Sequence, residues 1–249
     1  MAKGRIDSGR VIEKLDELLS RNCYAEAKRH LLYWLSEAEL LKDSRGMLLM
    51  FNELMGLCRK LGEQQNAIDF AEKALAHIEK NDLQKNIGAA TSYLNAATVY
   101  KAFERAEKSI PLFKKAEEIY NANLEPNDER FGGLYNNFAL ACVDLKDFEK
   151  AYALYNKALK IMEGKPPEQA ITYLNMASCV EAQLGLEEGA EKIAEYVEKA
   201  MELLEECKES QDGNYAFVLE KCASVFSYYG YFYYANEITE RYRRIYERT

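Results

Sequence analysis

Residues 135–159 read YNNFALACVDLKDFEKAYALYNKAL, and the organisation of the whole chain follows from how this stretch must fold. Tyr135, Phe138, Ala139 and Cys142 recur at the i, i+3, i+4, i+7 interval that lines one face of an α-helix. Leu145 closes that helix, Lys146 and Asp147 turn the chain, and Phe148 opens a second amphipathic segment ending near Gly164. The second segment places Ala151, Tyr155, Ala158 and Leu159 on its apolar face. The unit is a helical hairpin, and one hairpin of this size cannot bury its apolar face alone.

The hairpin recurs. YLNAATVY at 93–100 and YLNMASCV at 173–180 are versions of YNNFALAC at 135–142, displaced by 42 and 38 residues. Earlier copies use Phe51, Leu54, Met55, Cys58, Ala67, Ala71 and Ala74, and, more degenerately, Val11, Leu15, Leu18, Ala27, Leu31 and Trp34. A last copy supplies Leu219, Cys222, Ala223, Phe226, Ala235 and Thr239. From the last apolar residue of the first helix to the small residue of the second is nine positions in Leu18–Ala27, Cys58–Ala67, Tyr100–Ser109, Cys142–Ala151 and Phe226–Ala235. A small side chain at a fixed point lets two antiparallel helices approach closely while aromatics fill the space beside it. The copy beginning at Tyr173 drifts most, with either Gly189 or Ala190 at the small position.

This pattern resembles the tetratricopeptide repeat family, in which an aromatic, a Leu-Gly pair and a second aromatic precede an alanine and a further aromatic. In the clearest copy Tyr135, Phe138-Ala139, Cys142, Ala151 and Tyr155 take those places in order. Repeats starting near residues 8, 48, 90, 132, 170 and 216 advance by 40, 42, 42, 38 and 46 residues, longer than the family's common unit of about 34. Their length is similar to that of kinesin light chains and bacterial peptide-sensing regulators. The resemblance implies an all-α fold, a right-handed superhelix of about six hairpins spanning residues 1–249 as a single array, the last helix acting as a cap. Helices with their turns average about 21 residues, giving rods of about 25 Å. Pro111 falls inside a second helix, where a late start or a kink is expected.

Composition narrows the function. The formal charge of −8 disfavours nucleic acid as a partner. No apolar run approaches the roughly 20 residues of a membrane helix, and no leader precedes the first repeat, so neither membrane nor export is expected. Six widely spaced cysteines occupy mostly apolar helical positions and read as reduced thiols in a cytoplasmic protein. His30 and His77 have no partners at a catalytic or metal-binding spacing, so no enzyme activity, metal or cofactor is expected.

What remains is binding. Asn95, Asn137 and Asn175 are equivalent, each two residues after the tyrosine, and first helices line the concave side in the resembled family. Stacked in register, the three amides would hold the backbone of an extended peptide as donors and acceptors, or would instead bond to a neighbouring helix or water. Asn52 and Asn136 fall beside them, and Arg59, Lys60 and Lys101 add cations suited to an acidic ligand group, against Glu53, Asp144 and Glu181. The expected function is a non-catalytic scaffold for a protein or peptide ligand. The tyrosine-rich segment 226–246 offers an alternative, a homodimer contact, or simply a cap on the core. A DNA-binding regulator would need a helix-turn-helix ahead of the repeats, where about seven residues are present.

Overall fold

The structure is a computed structural model and describes residues 4–247. Eleven helices are present among the described residues, in the order α1 (Ser8–Ser20), α2 (Tyr24–Leu40), α3 (Ser44–Lys60), α4 (Gln64–Lys80), α5 (Ile87–Ala102), α6 (Ala106–Asn123), α7 (Arg130–Asp144), α8 (Phe148–Ile161), α9 (Pro166–Glu206), α10 (Gly213–Tyr228) and α11 (Phe232–Tyr246). The fold is all-α, as the periodicity requires. The chain divides after Pro126 into two compact units, the first holding α1–α6 and the second α7–α11.

In the first unit α1 packs on α2, α3 on α4 and α5 on α6, while α2 meets α3 and α5 lies against both α3 and α4. In the second, α7 pairs with α8, α10 with α11, and α9 contacts α7, α8 and α10. First helices after α1 begin at Ser44, Ile87, Arg130, Pro166 and Gly213, two to four residues ahead of the starts read from the repeats. At three of them the cause is capping: the side chains of Asp43, Asn86 and Asp212 accept from the backbone N–H groups of Gly46, Gly88 and Asn214, while α9 opens on Pro166.

The nine-residue spacing has a hydrogen-bonding origin. The N–H groups of Cys23, Glu63, Arg105, Asp147 and Tyr231 each donate to the carbonyl five residues back, those of Leu18, Cys58, Tyr100, Cys142 and Phe226, all at 2.9 Å. This is the closing bond of a Schellman turn, and it places the intervening residue in the left-handed region. Those residues are Asn22, Gly62, Glu104, Lys146 and Gly230, all with positive φ. The turn's own carbonyl then accepts the first bond of the second helix, from Ala27, Ala67, Ala151 and Ala235 at 2.9–3.0 Å. Five residues of turn plus four of helix make nine, so the small residue is delivered to the crossing point, where Ala27, Ala67, Ser109 and Ala151 are wholly buried.

The drifting copy keeps the distance with a different turn. α9 spans both helices of that hairpin, interrupted at Gly185, whose φ of 83° and ψ of 171° are open essentially to glycine alone. Nine residues after Val180 comes Gly189, which is buried, whereas Ala190 is exposed. A Cβ on Gly189 would approach Val180 Cγ1 to 2.9 Å, so the helices cross here more closely than a side chain permits.

Pro111 corrects an expectation. α6 starts three residues before Ser109, as α2, α4, α8 and α11 start three before their alanines, and it runs uninterrupted to Asn123. No late start occurs. Pro111 is exposed in the second turn, and Glu107, whose carbonyl loses its donor, is exposed too, so water can satisfy it.

Repeat geometry extends to surface contacts. Lys115 lies 5.2 Å from the ring centroid of Tyr93 and Lys157 4.9 Å from that of Tyr135, an equivalent pair one repeat apart. In the second unit the tyrosines of the last hairpin are engaged internally. Tyr229 donates to Glu181 at 2.8 Å, Tyr234 to Glu205 at 3.0 Å and Tyr215 to the Leu204 carbonyl at 2.9 Å, while Arg241 bridges Tyr215, Glu205 and Glu237. Phe232 and Tyr233 remain exposed, the latter at 94%.

Two stability measurements check this account. Ala151→Leu should lower stability by about 1–3 kcal/mol through overpacking at the crossing, whereas Ala190→Leu, one residue outside that position in its own hairpin, should stay within about 0.5 kcal/mol in urea unfolding followed by circular dichroism. Gly62→Ala, which meets open space but must hold φ at +69°, should cost about 1–2 kcal/mol. The reverse change, Lys146→Gly, should be neutral or stabilising by up to about 1 kcal/mol, because relieved strain offsets the extra chain entropy of glycine.

Candidate functional site

First helices line the cavities that contain the sequence-predicted amides. In the first unit a cavity of about 230 Å³ lies between α3 and α5, with Asn52, Glu53, Gly56 and Arg59 from the former and Asn95, Thr98 and Val99 from the latter. Asn52 also walls a neighbouring cavity of about 430 Å³ that includes Arg45, Leu48 and Asn86. In the second unit a cavity of about 330 Å³ brings Asn136, Asn137 and Asn175 together with Glu168 and Lys221, over an apolar wall of Leu140, Ile171, Leu174 and Val225. Repeat register therefore gathers Asn137 and Asn175 in one cavity, with Asn95 beside Asn52 in the other unit.

The amides differ in how much of their bonding capacity is already used. Asn136 donates to the Thr172 hydroxyl at 2.9 Å, and Thr172 donates in turn to the Glu168 carbonyl one turn back at 3.2 Å, tying α7 to α9. Asn137 donates to the Gly133 carbonyl of its own helix at 2.8 Å. Asn175 reaches Asn136 Oδ1 at 3.5 Å, at the limit of a hydrogen bond. One N–H of each of these three is engaged within the fold, while Oδ1 of Asn137 and of Asn175 accepts nothing from the described residues. Each amide keeps its second N–H beside the oxygen, and the free Oδ1 atoms of Asn137 and Asn175 are the acceptors the site offers.

Of the predicted cations, Arg59 is exposed at the first-unit cavity. Lys60 instead holds its ammonium 5.1 Å from the ring centroid of Tyr24, and Lys101 is half-buried in the last turn of α5, outside these cavity linings. Burial, and then the negative charge of Asp16, holds the Glu53 carboxyl above the usual carboxylate range. Glu181, set against the cations in the sequence, accepts from Tyr228 and Tyr229.

Two residues that shape the second-unit site were missed in the sequence. Thr172, buried behind Asn136 and accepting its bond, gives no signal beyond its apolar neighbours, but Lys221, which lines the cavity, stands two residues after Leu219, as Asn137 stands two after Tyr135, and the register alone could have found it. Its ammonium lies 4.1 Å from the Phe217 ring centroid. Both histidines are structural: His30 Nε2 lies 3.0 Å from the Val11 carbonyl and His77 Nε2 3.0 Å from that of Ser44. All six cysteines are unpaired, and burial pushes the Cys58 and Cys142 thiols up to about 11 and Cys222 up to about 12, which leaves them protonated at neutral pH. No helix among the described residues is long and apolar enough to cross a membrane.

Comparison with known proteins gives the same architecture. Residues 46–122 and residues 133–162 each match a family model described as tetratricopeptide repeat. No curated protein sequence matches the chain. Among solved structures, the nearly identical TPR-like repeats of a Podosopora anserina kinesin light chain superpose with a TM-score of 0.55 at 17% identity, over 80% of this chain and 94% of that one. BtubC (BKLC) from P. vanneervenii gives 0.56 at 17% identity, over 93% and 90%. Rap protein complexed with competence and sporulation factor gives 0.56 at 14% identity, over 94% and 73%. At these identities the likeness is one of fold. Hairpins of about 42 residues, the nine-residue register and two matching family segments agree: the chain carries tetratricopeptide repeats at residues 46–122 and 133–162 and is similar in fold to kinesin light chain repeats and to Rap.

Proposed function

We propose that the chain is a non-catalytic scaffold that binds an extended peptide or protein segment along its first helices. Tetratricopeptide repeats are typically protein-interaction scaffolds, and the similar Rap structure holds a bound factor. The observation that carries the reading is the second-unit cavity, where the unengaged Oδ1 atoms of Asn137 and Asn175 share a space with an apolar wall.

An extended peptide presents backbone N–H donors at regular intervals whatever its sequence, and acceptors fixed by their own inward donors meet them without reorganisation. Leu140, Ile171, Leu174 and Val225 would take an apolar side chain from the same segment. In the first unit Asn95 and Asn52 serve alike, with Arg59 at the rim. Six unpaired cysteines fit a reducing compartment, the cytoplasm.

The test uses peptides captured from an array by the full chain. The double variant Asn137→Ala, Asn175→Ala should weaken a captured peptide by about tenfold or more, since each lost acceptor is worth about 1 kcal/mol. Asn136→Ala should instead lower stability, because it removes the α7–α9 bridge through Thr172. Unchanged affinity in the double variant for every captured peptide would remove the asparagines from the binding site.

A further inference from the structure

The register that aligns the amides also places charge. Two residues after the leading aromatic or apolar residue, successive repeats carry Glu13, Glu53, Asn95, Asn137, Asn175 and Lys221. Glu53 is thus the equivalent of the asparagines, set one repeat before Asn95, and both line the same first-unit cavity.

Glu53 is half-buried, and among the described residues no cation pairs with it. Arg59 lines the same cavity, but it is exposed and forms no ion pair with Glu53. The charge Glu53 does feel is that of Asp16 on α1, another carboxylate, and together with burial it disfavours the ionised form. A second unmet demand lies next to it. Asn52 Oδ1 is buried without a donor, a condition that costs about 1–3 kcal/mol when left unanswered. Glu53 and Asn52 line one side of a cavity of about 230 Å³, with Thr98 and Asn95 opposite; the Asn52 oxygen itself is closed off and would have to turn to meet a ligand. Such a set is complementary to a group that is positively charged and rich in N–H donors.

We propose that this cavity binds an alkylammonium or guanidinium group, with Glu53 as its counter-ion and Asn52 and Asn95 as flanking acceptors. The inference rests on the peptide-binding reading and adds to it a ligand class: a segment bearing a basic group at the first unit. It reverses the expectation, drawn from Arg59, Lys60 and Lys101, of an acidic ligand group there. Lys60 is occupied with Tyr24, and Arg59 is left at the rim.

Small probes test this without any peptide ligand, so the result is independent of the second-unit asparagines. The full chain is titrated with Nα-acetyl-lysinamide, whose only charge is its side-chain ammonium, and with glycinamide, whose only charge is its terminal one. Nα-acetyl-norleucinamide is the neutral control, and binding is followed through the side-chain amide resonances of Asn52 and Asn95. Saturable shifts with a cation are expected, weakened at least tenfold by Glu53→Gln and unchanged or strengthened by Arg59→Gln. The stronger of the two cations identifies whether a side chain or a chain terminus is the source. Glu53→Gln should fold at least as stably as the parent at neutral pH, because the folded state holds the carboxyl above its unfolded value and ionisation there opposes folding. Absence of saturable shifts with both cations, equal binding by the norleucine compound, or unchanged affinity in a folded Glu53→Gln variant would overturn the proposal.

Discussion

Five of the six hairpins depend on one constraint, the bond from the residue after the turn to the carbonyl five positions earlier. It ends the first helix, forces one residue into the left-handed region and fixes where the second helix begins. Because the second helix starts at a set point, its small residue always reaches the crossing. Ala67, Ser109 and Ala151 are wholly buried there, and Tyr93, Phe113, Phe138 and Tyr155 pack in the core around them. The fifth hairpin shows that the distance matters more than the means. Gly185 turns the chain in another conformation, yet the buried small residue is still nine positions after Val180.

Local features of this kind are legible in a sequence because they are set by chain spacing. The hairpins, their number, the small positions of five of them and the placing of the asparagines on first helices could be read from the sequence, while Gly189 and Ala190 stayed open in the fifth. Helix starts were read late because capping Asp43, Asn86 and Asp212 lie outside the apolar pattern. Pro111 was misjudged for a similar reason: its cost depends on whether the orphaned carbonyl faces water, and it does. Bonding partners were beyond reach. That Asn136 would spend its donor on Thr172, and Lys60 its charge on Tyr24, follows from packing between helices far apart in sequence.

Those partners change what the two cavities can do. An amide with one N–H committed internally is held in orientation by that bond, which leaves its oxygen and its second N–H at fixed points. The second unit pairs such acceptors with an apolar wall, whereas the first carries an unpaired carboxylate at the equivalent register. On the proposed reading one repeat position serves two purposes, neutral amides to hold a backbone and charge to select among ligands. Packing asks the flanking residues to be tyrosine, leucine or alanine but leaves this position uncommitted.

The central claim is that the nine-residue register, and not merely a flexible connection, joins the two helices of a hairpin. It is tested most directly by inserting one alanine between Lys146 and Asp147 and, separately, one between Glu163 and Gly164, where the connection joins successive hairpins. Urea unfolding of both proteins should show the first insertion costing about 2 kcal/mol or more, through the lost turn bond and the misplaced Ala151. The second should cost no more than the roughly 0.6 kcal/mol of a lengthened loop. Equal and small losses at the two sites would contradict the account.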